Sequence, residues 1–191
     1  MGAERVKRLD DPRTLRALAH PLRLRLIGIL RTEGPATVTT LAGAVGEAIP
    51  LVSYHLRQLA DHGFIEPAPE LAKDRRETWW RASHDLTSWS ITDFLDTPER
   101  LDALGVLQRE VLRRHVARIE EFLANASSWD KEWLAASDMS DVRIRLTPEE
   151  LEAMKTELWA VIDRWRSREP SPGAAAADLI LYAFPAGSRM P

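Results

Sequence analysis

The chain has 191 residues, 45% of them apolar, a net charge of −3 and no cysteine. That length can bury one large core or two small ones, and the lack of cysteine excludes disulfides, thiolate metal sites and a cysteine nucleophile. The charge is uneven: residues 1–84 hold 13 Lys+Arg against 10 Asp+Glu, a net of +3, while residues 85–191 hold 13 against 19, a net of −6. A mildly basic unit is therefore followed by an acidic one, an order that fits a nucleic-acid reader joined to a domain with another task. The opening MGAERVKRLDD lacks the apolar run of a signal peptide. No segment reaches the ~18 consecutive apolar residues of a membrane span, so the chain is expected to be cytoplasmic and to have no membrane partner.

Pro12 to Ala19 predict a short helix with Leu15, Leu18 and Ala19 on one side. His20-Pro21 interrupts it, because a residue before proline is pushed out of the α region. Pro21 opens a second helix to about Arg31, with Leu22, Leu26, Ile29 and Leu30 inward and Arg23 and Arg31 outward. Gly34-Pro35 ends it, and Thr39 is the expected N-cap of the next helix.

Thr39 to Leu59 then read as two short helices joined by a tight turn. Leu41, Ala42 and Val45 line the first; Gly46 breaks it where φ > 0 is cheapest. Pro50 starts the second, in whose first turn a missing N–H costs nothing. Val52, Leu56 and Leu59 make one apolar stripe along it. With Val52 at zero and ~100° per residue, Pro50, Ser53, Tyr54, Arg57 and Gln58 face the other way. Such a helix can lie in a DNA major groove and read base edges; it can equally be half of a buried helical hairpin. His55, on the edge of the stripe, is expected to be packed and hydrogen-bonded rather than base-reading.

After Asp61-His62-Gly63 the period changes. Phe64–Glu66 and Glu77–Ala82 read as strands of a hairpin, with Lys73, Arg75 and Arg76 at its tip. Three helices followed by a hairpin with a basic tip is the winged helix–turn–helix order. The tip is either a wing that reaches phosphates or the minor groove, or a solvated charged turn.

Thr97-Pro98-Glu99 starts a long helix to about Ala126, with Leu101, Leu104, Val111, Leu112, Ile119, Phe122 and Leu123 on its apolar face. Reading a palindrome takes two recognition helices ~34 Å apart, and this helix is the natural dimerisation element. Ser128–Ala136 reads as a further short helix with Trp129 and Trp133 on one side. Val142–Leu146 alternates as a strand. Thr147-Pro148-Glu149-Glu150 is a capping box launching an amphipathic helix to about Arg168, with Leu151, Met154, Leu158, Val161, Ile162 and Trp165 inward. Leu179–Phe184 is a second strand, expected to pair in parallel with the first. Trp129, Trp133, Trp159 and Trp165 either line a pocket for an organic effector or are simply core. No phosphate loop, GxSxG or HExxH is present, so no enzyme is expected and no catalytic residue or cofactor is assigned.

The fragments LAHPLRLRLIGIL, TVTTLAGAVG, VSYHLRQLADHGFIE and RRETWWRAS, in order and correctly spaced over residues 12–84, resemble the ArsR-type winged-helix repressors of bacteria. The resemblance implies a homodimer on an inverted-repeat operator in double-stranded DNA, repression, and release by an effector. It carries the DNA-reading positions to Pro50, Leu51, Ser53, Tyr54 and Arg57, with Gln58 on the same face, and the wing contacts to Lys73, Arg75 and Arg76. It departs at the recognition-helix cap, where Ala48 stands in place of a polar residue. Metal sensing, the family's best-known property, is disfavoured: there is no cysteine, and His115 is the sole histidine between Pro98 and Ala126. The VRIRLTPEEL…LW…RW stretch resembles the extension of a longer subgroup.

The expected fold is mainly α with small β: a winged helix–turn–helix DNA-binding domain over 1–84, then a dimerisation and effector or assembly domain over 85–191 with a strand–helix–strand unit. The expected function is a homodimeric transcriptional repressor released by a non-metal organic effector. A winged interaction module without DNA reading and a metal-responsive repressor stay open as alternatives.

Overall fold

A computed structural model describes residues 5–72, 74 and 77–187. The chain divides into two compact units, Met1–Leu123 and Ala124–Pro191.

In the first unit, α1 (Pro12–Leu18) is capped by Asp11, whose carboxylate accepts from the Thr14 amide at 2.9 Å. In α2 (Pro21–Thr32) the cap is His20, whose Nδ1 accepts from the Leu22 amide at 3.2 Å. Leu24, Leu26, Ile27 and Leu30 are buried, with Leu22 and Ile29 packed at the margin. Arg31 does not face out as the helical wheel predicts. Its Nε donates to the His84 carbonyl at 3.0 Å and its Nη2 to Thr87 Oγ1 at 2.8 Å.

A short strand β2 (Ala36–Thr37) leads into α3 (Val38–Val45), and the cap is Thr37, two residues earlier than expected, accepting from the Thr40 amide. Thr39 lies inside the helix because the chain turns helical directly from β2. Gly46 closes α3 at φ 71°, and the amides of Gly46 and Glu47 both donate to the Ala42 carbonyl. Such a turn uses the left-handed conformation that glycine reaches without a Cβ penalty. Next come α4 (Ile49–Asp61) and, after the left-handed Gly63 (φ 67°), β3 (Ile65–Pro67).

The expected hairpin forms. β4 (Trp79–Ala82) pairs antiparallel with β3, Ile65 opposite Ala82, and with β2 on its other edge, Ala36 opposite Trp80. A second, unforeseen ribbon pairs β1 (Val6–Arg8) with β5 (Leu86–Ser88) in parallel. One core runs through α1 to α4, Phe64, Ile65 and Phe94, and takes in Ala103, Leu104 and Leu107 of α5 (Pro98–Ala124). Beyond that point α5 leaves Leu112, Val116, Ile119 and Leu123 exposed, as is Leu101 in its first turn.

The second unit contains α6 (Lys131–Ala136), preceded by a single 3-10 turn at Ala126–Ser128, and α7 (Pro148–Arg166). The capping box is present: the Glu150 amide donates to Thr147 Oγ1 at 3.2 Å and the Thr147 amide to Glu150 Oε2 at 2.7 Å. The expected strands are not formed. Residues 137–147 and 174–186 carry no regular secondary structure. Alternation alone does not make a strand; its amides need a ladder partner, and neither segment pairs with another described segment of this chain. The inward face expected of α7 is also open: Leu158, Val161 and Trp165 are exposed, and no described side chain of this unit is buried.

Candidate nucleic-acid interface

The candidate recognition helix, α4, is built by a division of faces. Val52, Leu56 and Leu59 of α4 are each fully buried. At ~25 cal/mol per Å² of apolar surface, each such side chain is worth about 1.5–3 kcal/mol of burial, so the stripe fixes the rotation of the helix about its axis. That rotation leaves Pro50, Leu51, Tyr54 and Arg57 exposed and Ser53 and Gln58 half-exposed on one continuous side. Tyr54, at 54% exposure, is the most prominent aromatic of this face.

The start of α4 is held without a side-chain cap. Ala48 offers no acceptor, and the helix begins on Ile49 with Pro50 in its first turn. A polar cap is ordinarily worth ~0.5–2 kcal/mol, so the orientation of α4 rests on its buried stripe. The missing cap also leaves N-terminal amides of α4 without side-chain acceptors, where a phosphate oxygen can take them.

His55 is buried, as expected of its place beside the stripe, but its Nδ1 has no hydrogen-bond partner among the described residues. Its ring packs against His20, tilted by 38° with centroids 4.3 Å apart, and meets Tyr54 edge-on at 5.1 Å. Burial lowers the pKa of His55, and the neighbouring His20 and Arg23 lower it further. The His20 pKa is likewise lowered, by burial and then by Arg23. His20 and His55, with Arg25, Glu47 and Leu51, border an open pocket of about 340 Å³ beside the outer face of α4.

On the hairpin, Lys73, Arg75 and Arg76 lie outside the described residues. At its base Arg81 donates from Nε to Glu66 at 2.8 Å and from Nη1 to Glu70. Its pKa is raised, first by the hydrogen bond to Glu66. Two carboxylates on the hairpin are thus matched by a guanidinium of the neighbouring strand.

The four tryptophans suggested as an effector pocket lie in the second unit. Trp129 and Trp133 meet edge-to-face at 6.3 Å, and Trp165 carries Arg168 over its ring at 4.3 Å. Trp159 is partly exposed along α7. Among the described residues, no group of three or more His, Asp or Glu is placed to hold a metal ion, and no helix is long and apolar enough to cross a membrane.

Residues 18–68 match the family model of a helix–turn–helix domain. No curated protein sequence matches the chain. Similar solved structures include the homodimeric winged helix–turn–helix DNA-binding domain of a possible ArsR-family transcriptional regulator from Mycobacterium bovis. It is 20% identical over 58% of this chain and 80% of that one, with a TM-score of 0.34. A possible transcriptional regulator for arsenical resistance is 29% identical over 55% of this chain and 94% of that one (TM-score 0.32). A mutant of ZitR from Lactococcus lactis in apo form is 16% identical over 76% and 81% (TM-score 0.31).

Proposed function

We propose that this chain, whose residues 18–68 carry a helix–turn–helix domain, is a sequence-specific DNA-binding transcriptional regulator: a homodimeric repressor on an inverted repeat, released by a non-metal organic effector. The observation that carries the reading is the two-faced α4. Its fully buried Val52, Leu56 and Leu59 lock the helix, while Ser53, Tyr54, Arg57 and Gln58 stand on the outer side.

Phosphate contacts from the helix ends and from Lys73, Arg75 and Arg76 position the dimer. Arg57 and Gln58 supply the forked donors and acceptors that suit guanine and adenine edges; Ser53 and Tyr54 supply hydroxyls, and Pro50 and Leu51 supply apolar contact with thymine methyls. In this reading residues 1–84 bind DNA and residues 85–191 serve dimerisation and the effector, with Trp129, Trp133, Trp159 and Trp165 as its aromatic contacts. The exposed apolar stripe of α5 and the absence of a buried side chain in residues 124–187 support a role in assembly.

The test is binding of the purified chain to DNA from its own upstream region across a salt series, beside Arg57→Ala. Tight, footprint-sized binding with a steep salt slope, weakened in the variant, is expected. Weak binding that is indifferent to sequence and unchanged in Arg57→Ala would overturn the reading in favour of an interaction module.

A further inference from the structure

The apolar residues of α7 follow a stricter spacing than a core-facing helix needs. Leu151, Met154, Leu158, Val161 and Trp165 recur at i, i+3, i+7, i+10 and i+14, the alternation of a two-helix seam. At ~100° per residue they fall within roughly 80° of arc. None of the five is buried: Leu158, Val161 and Trp165 are 38%, 42% and 62% exposed, and Leu151 and Met154 are half-buried. No described side chain of residues 124–187 is buried, so the unit supplies no core for this face to join.

The charges beside the seam indicate what covers it. The first turn of α7 is acidic, with Glu149 and Glu150, and the last is basic, with Arg164 and Arg166. Two such helices set parallel bring like ends together. Set antiparallel, each acidic end meets a basic one and the helix dipoles oppose. One antiparallel register satisfies the apolar and the charged positions together: Leu158 against the partner's Val161, Met154 against the partner's Trp165, and Glu157 beside the partner's Arg164. Two-fold symmetry repeats each of these contacts in reverse. Lys155 is engaged by Glu152 and Arg166 by Asp163 within α7. Neither Glu157 nor Arg164 has an ion pair or a side-chain hydrogen bond among the described residues. Seven positions apart, the two cannot reach each other along one helix.

We infer that α7 docks antiparallel on α7 of a second copy of this chain. The inference rests on the homodimer of the proposed function and names the part that residues 124–187 play in it. The pairing gives that unit the apolar core it lacks alone, with the flexible Met154 filling the space beside the partner's Trp165. The seam from Leu151 to Trp165 spans only about two heptads, fewer than a self-sufficient coiled coil uses. It therefore acts together with the exposed apolar stripe of α5. Each contact raises the effective concentration of the other, and α7 by itself does not hold two chains together.

The experiment is sedimentation equilibrium of the full chain, read as the dimer dissociation constant, with far-ultraviolet circular dichroism on every variant. Leu158→Glu/Val161→Glu should weaken the dimer roughly tenfold or more. Glu157→Arg and Arg164→Glu each set like charges against each other across the seam, twice per dimer, and should weaken it by about tenfold. The exchange Glu157→Arg/Arg164→Glu should return the constant to within about threefold of the parent. Such a recovery is specific to reciprocal contact between copies, and all three charge variants keep the apolar seam intact. A dimer whose constant is unmoved by Leu158→Glu/Val161→Glu, or an exchange no tighter than the single reversals, would overturn the inference and leave this face to a different partner. A parent chain that sediments as a monomer would overturn the homodimer reading and this inference with it. Association is read without DNA, so a dimer that responds as expected but binds no operator fails only the regulator reading.

Discussion

His55 of the recognition helix packs ring to ring with His20, the residue that caps α2, at a centroid distance of 4.3 Å. Both pKa values are held below the ordinary 6.5, His55 by burial, His20 and Arg23, and His20 by burial and Arg23. Arg25 and Glu47 are the other charged groups bordering them. Well above pH 6.5 both rings are neutral in the folded and unfolded chain, and the ring pair contributes its full stability. As the pH falls through 6.5 the unfolded chain takes up protons that the folded chain resists, so stability is lost progressively towards the lowered folded values. Protonation at His20 Nδ1 also removes the acceptor that caps Leu22. The melting temperature is expected to fall between pH ~7.5 and ~5.5. His20→Asn with His55→Gln should flatten that slope while keeping a capping acceptor; the remainder belongs to groups such as His84, whose pKa burial also lowers. An unchanged slope in the double variant would contradict this account.

The two faces of α4 should separate in mutagenesis. Leu56→Ala opens a cavity in a fully buried site and should cost about 2–5 kcal/mol of stability. Tyr54→Ala and Arg57→Ala, on exposed positions, should leave the unfolding midpoint within about 0.5 kcal/mol of the parent. Each should lower the affinity for operator DNA by about 1–3 kcal/mol. Denaturant unfolding and quantitative DNA binding on the same three variants check both halves.

Arg31 is a tether. Its bonds to the His84 carbonyl and Thr87 Oγ1 tie α2 to the strand that pairs with residues Val6–Arg8. Arg31→Met keeps the aliphatic stem but strands the His84 carbonyl, at a cost of about 1–3 kcal/mol. The loss should be local. Amide exchange at Val6–Arg8 and Leu86–Ser88 should accelerate while α3 and α4 keep their protection; uniform acceleration would refute a tethering role.

What was legible in the sequence was what adjacent residues decide. Pro12, Pro21, Pro50 and Pro148 each lie in the first turn of a helix, Gly46 ends α3, and the Thr147–Glu150 box starts α7. The misreadings are questions of distant partners. Val6 pairs with Leu86 across most of the first unit, a parallel match that no local pattern announces. Val142–Leu146 alternates cleanly but finds no ladder partner among the described residues. Arg31 sits on the polar side of a helical wheel, yet β5 covers it.

The apolar residues that α5 leaves uncovered make the strongest case about assembly. Leu112, Val116, Ile119 and Leu123 recur at i, i+4, i+7 and i+11 and are 51%, 44%, 37% and 52% exposed. At ~100° per residue they form one stripe, opposite the side that carries Glu110, Arg114 and Glu121. A stripe of this spacing is the seam by which two helices pack. Leu112→Glu/Ile119→Glu should therefore convert a dimer to a monomer in sedimentation equilibrium with no loss of helix content, since neither side chain is in the core. The variant should lose far more affinity for a full inverted repeat than for a half-site, because coupling two recognition helices multiplies their local concentration. If the parent chain sediments as a monomer, or the variant keeps its preference for the full repeat, α5 is not the seam, and the uncovered faces of residues 124–187 become the place to look.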